Sequence, residues 1–409
     1  MNTAMNTAQA GFRPTELFAE RMSIIPTSFI REILKVTVRP EIISFAGGLP
    51  NPQFFPVDAI KAASEKVLSS DGRTVLQYST TEGYLPLREW IAAWYKERQG
   101  LAISPDEILI TNGSQQGIDL LGKVFLDKGS EVVIEKPGYL GAIQSLTAYQ
   151  PAFIGVTLND DGVDTEQLAS VYETRRPKMF CAIPNFQNPS GLSYAADVRE
   201  RVADVVERHN TFVVEDDPYG ALRFKGQAQP SLKHYLGDQA VLFGSFSKIV
   251  APGLRLGWIV AAKPIMEKLV IAKQASDLHS NYFAQRTMHQ YLVDNNVDDH
   301  IAKICAAYGK QCDVMLNAID TYFPHEVKTT RPEGGMFLWV TLPEGCSSMD
   351  LFDKAIKQNV AFVPGTPFYV DGSGTNTMRL NFTNTDEERL VEGIQRLGVA
   401  IEEMLGVPA

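Results

Sequence analysis

Lys248 stands in the run Ser245-Phe246-Ser247-Lys248-Ile249-Val250-Ala251-Pro252-Gly253-Leu254-Arg255-Leu256-Gly257, just after the apolar stretch AVLFGSF at 240–246. A lysine between two apolar stretches at a strand end is costly as a buried cation. It is therefore paired, exposed, or covalently engaged with a lowered pKa. The two serines and Arg255 add donors for an anion. A second apolar run, TFVVED at 211–216, closes on Glu215 and Asp216, and Asp217 follows as a third acid. Carboxylates are rarely buried without a partner, although solvated acids at a strand end would account for them equally well. After ILIT (108–111), the turn Asn112-Gly113-Ser114-Gln115-Gln116-Gly117 opens a helix. Its free N–H groups and positive dipole end suit an anion, and a plain helix cap explains the serine as readily. The stretch Asn185-Phe186-Gln187-Asn188-Pro189-Ser190-Gly191 has the composition of a turn. A lysine, a phosphate cup and a strand-end carboxylate are together what a pyridoxal phosphate site requires. The lysine holds the aldehyde as a Schiff base, the cup holds the phosphate, and the acid partners the pyridine nitrogen.

The elements that must carry these residues alternate along the chain. Apolar residues recur at helical spacing over 57–69 and 86–98, and from Ser114 onward. EVVIE (131–135), AFIGVTL (152–158), MFCAIP (179–184), TFVVED, AVLFGSF and RLGWIVA (255–261) are short runs rich in Val, Ile and Phe, most of them separated by helical stretches such as 194–209. Such runs are what strands buried on both faces of a parallel sheet look like. The pattern predicts an α/β domain over 55–300, where ligands bind beyond the carboxyl ends of the strands. From Ile301 a long helix, short strands including GMFLWVTL and MRLNFT, and a closing helix from Asp386 predict a smaller α+β domain over 301–409. Residues 1–54 are expected to pack on that domain and at the mouth of the site, since chain ends often lie close together.

Composition removes other classes. The chain has 409 residues, 44% of them hydrophobic, and a net charge of −10 without a block of five like charges, which disfavours nucleic acid or an anionic membrane surface as partner. Cys181, Cys305, Cys312 and Cys346 stand far apart, neither a disulfide framework nor a zinc site, and fit a reducing, cytoplasmic compartment. No apolar run is long enough to span a bilayer. There is no GxxxxGK[ST], no GxGxxG after a strand, no HExxH and no GxSxG. Six scattered histidines show no ligand spacing, so no metal is expected.

SFSKIVAPGLRLGW, PNFQNPSG, EDDPYG, TNGSQQG and MRLNFT, in the chain as a whole, resemble the class I/II aminotransferases of pyridoxal phosphate fold type I. The front end, SFIREILK, ISFAGGLPNPQFFP and QYSTTEGYLPLRE, is most similar to the branch of 2-aminoadipate, kynurenine and broad-specificity aromatic aminotransferases. The resemblance implies a large domain with a mostly parallel sheet plus a smaller α+β domain, in a homodimer with shared active sites. It implies that an L-amino acid gives its amino group to 2-oxoglutarate in a ping-pong cycle, with pyridoxal 5'-phosphate as cofactor. Lys248 would bind the cofactor and shuttle the proton at the substrate α-carbon. Asp216 would pair with the pyridine nitrogen, and Tyr219 and Asn188 would hydrogen-bond the phenolic oxygen. Tyr139 would stack on the ring. Ser114, Gln115, Ser245, Ser247 and Arg255 would cup the phosphate, joined by Tyr78 from the partner subunit. Arg379 would grip the α-carboxylate beside Asn188, and Arg31 and Gly48 would face the substrate. Strand geometry puts Glu215 and Asp217 on one face and Asp216 on the other. It does not select among them; the family spacing Asp-x-x-Tyr selects Asp216. The same fold running decarboxylase or β-lyase chemistry is the alternative. An aminotransferase-like transcription regulator would carry a winged-helix domain ahead of the ISFAGGLP stretch. That stretch begins at residue 43, and with the acidic charge this leads us to expect an enzyme.

Overall fold

The computed structural model describes residues 12–23, 25, 33 and 39–406. Arg31 lies outside the described residues. The chain builds an eight-stranded sheet from β2 (Ile108–Thr111), β3 (Glu131–Lys136), β4 (Ala152–Asn159), β5 (Gly162–Val163), β6 (Met179–Ala182), β7 (Phe212–Asp216), β8 (Ala240–Ser245) and β9 (Gly257–Val260). Their order across the sheet is β2-β9-β8-β7-β6-β3-β4-β5. Neighbours from β8 across to β4 pair in parallel. Both faces are covered, as the continuous apolar runs predict. Val132, Ile134 and Val214 join one core cluster, while their alternate neighbours Val133 and Val213 join another on the opposite face.

One strand departs from the parallel pattern in a way that shapes the site. β9 runs antiparallel to both β2 and β8, with Gly257 opposite Thr111 and Ser245. The stretch between β8 and β9 is too short for a parallel crossover, which takes a dozen residues or more, so the chain must double back. Doubling back brings Arg255, which precedes β9, to the carboxyl ends of β2 and β8, where Gly113, Ser245 and Lys248 also lie. The apolar run at 255–261 carries no sign of this reversal.

A second sheet, β10-β11-β14-β13, is antiparallel throughout. It consists of β10 (Lys328–Thr329), β11 (Phe337–Thr341), β13 (Val363–Pro364) and β14 (Thr377–Asn381). Arg379 lies in β14, opposite Trp339 and Val363. The long helix expected from Ile301 runs over Val297–Tyr322, because the Asn296 side chain caps it by accepting the N–H groups of Asp298 and Asp299. The helix expected over 57–69 extends over Val57–Val75, with a break in its dihedral angles at Asp71.

The stretch after residue 41 threads between these parts. β1 (Ile43–Ser44) pairs in parallel with β12 (Val360–Ala361). The Phe45 N–H donates to the Ala361 carbonyl at 2.8 Å, and the Phe45 carbonyl accepts from Asn381 N–H at 2.8 Å. Phe45 is fully buried, so residues 46–48 are held in place beside Arg379. Strands of two residues such as β1, β5, β10 and β12 are too short to show any alternation in sequence.

Candidate active site

A cavity of about 400 Å³ opens beyond the carboxyl ends of β2, β3, β6, β7 and β8. Among its lining residues are Gly48, Ser114, Gln115, Tyr139, Asn188, Asp216, Tyr219, Ser245, Ser247, Lys248, Arg255 and Arg379. Residues separated by more than 300 positions therefore meet at one place.

Lys248 is half-buried, and its ammonium donates to the Gly48 carbonyl at 2.8 Å. Desolvation lowers its pKa to about 8, and the nearby Arg379 and Arg255 guanidinium groups add to the effect. The sign of the consequence follows from linkage. Between about pH 8 and 10.5 the unfolded chain keeps a proton on this amine that the folded chain has released. The ligand-free protein should therefore gain stability as pH rises through that window, by at most about 3 kcal/mol, relative to Lys248→Met. Denaturant midpoints of the two proteins between pH 7 and 10.5 test this; parallel pH dependences would refute it.

The three acids of β7 have different surroundings. Glu215 accepts from the Ser231 hydroxyl at 2.5 Å and from Lys233 N–H at 3.1 Å. Asp217 accepts from the Asn185 amide at 3.0 Å and from Gly220 N–H at 2.9 Å. Asp216 faces the cavity, and its buried Oδ1 has no hydrogen-bond partner among the described residues. Desolvation raises its pKa to about 7, with Asp217 and Glu135 adding repulsion and a Ser114 hydrogen bond opposing it. An orphaned carboxylate oxygen at the end of a cavity is a site for a protonated ring nitrogen.

Arg379 is 2% exposed. It donates to Asn188 Oδ1 at 2.9 Å and to the Ala46 carbonyl at 2.7 Å, and its guanidinium lies 4.4 Å from the Phe337 ring centre. Its Nε has no partner among the described residues. Burial lowers its pKa to about 10, still cationic at neutral pH. Tyr219 is buried against Phe337, at 5.8 Å between ring centres and 85° between planes, with a hydrogen bond to the Asn188 side chain. Desolvation raises its phenol well above the ordinary range. The Tyr139 hydroxyl donates to Gln115 Oε1 at 3.3 Å, and burial pushes its pKa up to about 12.

The end of the cavity beside Arg255 combines two elements. Gly113 adopts φ +79°, and a Cβ there would lie 2.8 Å from Arg255 Nη2, so glycine serves both the turn and the close approach. The helix Ser114–Phe125 starts without a side-chain cap. Among the described residues the Ser114 and Gln115 N–H groups have no acceptor in the chain, as first-turn amides lack an intrahelical one. The two serines before Lys248 differ: the Ser245 hydroxyl donates to the Leu256 carbonyl at 3.4 Å and accepts from Ser247 N–H at 3.1 Å. Ser245 thus shapes the loop, while the Ser247 hydroxyl remains available.

Tyr78 does not line this cavity. It is 78% exposed and edge-on to His279 at 5.9 Å. Leu49, Leu140, Gln144, Ile183 and Pro218 also line the wall, together with Gly113, Gly141 and Pro252. Of these, Leu140 and Gln144 were foreseeable, lying one and five residues after Tyr139 on the helix that opens there, as were Ile183 and Pro218, just past the strand runs MFCA and TFVVED; Leu49 reaches the wall only through the tertiary path of the chain.

The unpartnered Asp216, the lysine of lowered proton affinity and the free N–H groups beside Arg255 fit pyridoxal phosphate. A mostly parallel α/β sheet ending in these groups defines a pyridoxal phosphate enzyme of fold type I. The chain belongs to the aminotransferase class I and II family, whose sequence profile matches residues 43–397. It is 42% identical over 397 residues to a 2-aminoadipate transaminase of Thermus thermophilus, covering 96% of this chain and 98% of that one. It is 41% identical over 392 residues to aromatic-amino-acid aminotransferase 1 of Thermococcus litoralis, covering 94% of each. The crystal structure of an α-aminoadipate aminotransferase from Thermus thermophilus, complexed with N-(5'-phosphopyridoxyl)-L-leucine, superposes with a TM-score of 0.91 at 41% identity, over 97% of this chain and all of that one.

Proposed function

We propose that this aminotransferase takes the amino group of an L-amino acid, with 2-aminoadipate and aromatic amino acids among its donors, and passes it to 2-oxoglutarate in a ping-pong cycle. The observation that carries this reading is the meeting of Lys248, Asp216 and Arg379 on one cavity. Pyridoxal phosphate bound there supplies an aldehyde that takes up amines and a ring that draws electrons from the substrate α-carbon.

The chain's own residues do the rest. Lys248, with its pKa lowered to about 8, keeps part of its amine neutral near physiological pH and moves the proton at the α-carbon. Asp216 holds a proton on the ring nitrogen. Tyr219 and Asn188 hydrogen-bond the phenolic oxygen, and Tyr139 packs on the ring face. Ser114, Gln115, Ser247 and Arg255 bind the phosphate, with Ser245 setting the loop. Arg379 binds the α-carboxylate through its planar fork in a site of low dielectric. Asn188 accepts from Arg379 while sitting beside Tyr219, so substrate and cofactor would share one orienting residue.

The side-chain end of the cavity supports a broad donor range. A Cβ on Gly48 would lie 3.4 Å from the Phe337 ring and 4.0 Å from the Arg379 guanidinium. Its absence leaves room at the mouth, where Arg31 is proposed to meet the substrate side chain. The Thermus relative is named for 2-aminoadipate and a structure from that organism holds a leucine adduct, while the Thermococcus relative is named for aromatic substrates. The highly exposed Tyr78 supports a homodimer in which it serves the other subunit's cavity. The four free cysteines support a reducing, cytoplasmic setting.

The test is an absorbance spectrum of the purified protein before and after addition of single amino acids without any oxo acid. The visible band of the lysine-bound cofactor should move to the near-ultraviolet band of its aminated form, and 2-oxoglutarate should restore it. Release of carbon dioxide or of a β-substituent without that interconversion would overturn the reading in favour of the other chemistries.

A further inference from the structure

Behind the turn at residues 112–116, away from the cavity, lies an ion pair whose lysine is fully buried and whose carboxylate is 24% exposed. The helix Lys263–Asp277 ends beneath this turn. Lys273, whose side chain is 0% exposed, donates to both Asp277 carboxylate oxygens at 2.9 and 3.0 Å. Its third donor goes to Gln116 Oε1 at 2.8 Å. Asp277 Oδ2 in turn accepts from the Asn112 amide at 2.6 Å and the Gln116 amide at 2.7 Å. Gln116 Oε1 also accepts from Asn112 N–H at 2.9 Å. The Asn112 carbonyl accepts from Arg255 at 3.1 Å, and the Gly113 carbonyl accepts from the Thr111 hydroxyl at 3.0 Å. Both flanks of residues 113–115 are therefore tied down, and the Ser114 and Gln115 N–H groups are the ones left over.

A buried ion pair is a poor source of stability, because apolar residues of similar volume often do as well or better. Its use is better sought in geometry. A carboxylate alone would anchor the Asn112 and Gln116 amides but would also place a negative charge near a site meant for an anion. Lys273 cancels that charge while adding a third tether to Gln116.

We propose that Lys273 and Asp277 are positioning residues for the cofactor's phosphate. They clamp Asn112 and Gln116 so that the N–H groups at the start of the Ser114–Phe125 helix and the Arg255 guanidinium converge on one anion. None of Asn112, Gln116, Lys273 and Asp277 lines the cavity, so the pair acts through the turn. The proposal rests on reading that turn as the phosphate site.

The test compares the dissociation constants of pyridoxal phosphate and of pyridoxal, which lacks the phosphate, for the full-length protein and its variants. The double variant Lys273→Met/Asp277→Leu removes the clamp without changing net charge and keeps apolar bulk. It should weaken pyridoxal phosphate binding about tenfold, the equivalent of one charge-assisted hydrogen bond, and leave pyridoxal binding and the melting temperature nearly unchanged. Lys273→Met alone, which leaves Asp277 uncompensated, should weaken pyridoxal phosphate binding further. Equal weakening for both ligands, or none for either, would overturn the proposal. Arg255→Ala checks the underlying reading separately: it should abolish most of the preference for the phosphorylated ligand. If it does not, the turn is not the phosphate site, whatever the double variant shows.

Discussion

Replacing Lys248 with alanine is expected to lower turnover by on the order of a millionfold, the scale seen when a catalytic nucleophile or base is removed. On the proposed reading three separate contributions end together: the covalent anchor, the proton carrier at the α-carbon, and the tether to the Gly48 carbonyl. The fold should persist, because the lost side chain is a half-buried cation that desolvation already disfavours. Circular dichroism should be unchanged, while the visible absorbance of the lysine-bound cofactor disappears. A variant with near-normal turnover and an intact visible band would overturn the assignment of Lys248 and of every role built around it.

Arg379→Ala should have the second-largest effect. Truncating one partner of a buried charged pair costs on the order of 2–5 kcal/mol, so kcat/KM should fall by roughly one and a half to three and a half orders of magnitude. The loss should be carried chiefly by KM and be similar for every donor and for 2-oxoglutarate, since all share the α-carboxylate. Arg379→Lys should recover little, because an ammonium cannot reproduce the planar fork that reaches Asn188 and Ala46 together. Kinetic constants for an acidic, an aromatic and an aliphatic donor decide the matter. A loss confined to acidic donors would move Arg379 from the α-carboxylate to the side chain.

Some of this was visible in the sequence because it is local. A lysine after AVLFGSF, acids after TFVVE and a glycine turn after ILIT mark strand ends, and strand ends are where an α/β sheet exposes its groups. What escaped sequence reasoning is what distant segments supply. Alternation puts Glu215 and Asp217 on the same face. Which face meets the cavity is decided by Ser231, Lys233 and Asn185, whose hydrogen bonds occupy the two flanking acids. The reversal of β9, which brings Arg255 to the site, depends on the brevity of a connection and leaves no mark in an apolar run. Glu135 was read only as part of a strand, yet it is buried and tied to Tyr194, Gln187 and Ile183 beside Asp216. Gly48 was legible as a small residue at the site mouth, but the carbonyls by which Ala46 and Gly48 hold Arg379 and Lys248 are backbone groups, to which residue type gives no clue.

Two of the three basic side chains on the cavity lean on a carbonyl from the front of the chain: Lys248 on Gly48, 200 positions away, and Arg379 on Ala46, 333 positions away. Contacts of such separation close late in folding, since the entropy of joining distant segments must be met before the contact returns any energy. During synthesis the threading stretch leaves the ribosome long before Arg379 exists. The phosphate cup proposed near residues 113–115 cannot be completed until Arg255 has folded back along β9. On that reading cofactor capture is expected late in the maturation of this chain: the ligand would select molecules that have already folded and stabilise them by mass action. Cells short of the cofactor should accumulate folded, empty protein rather than unfolded chains.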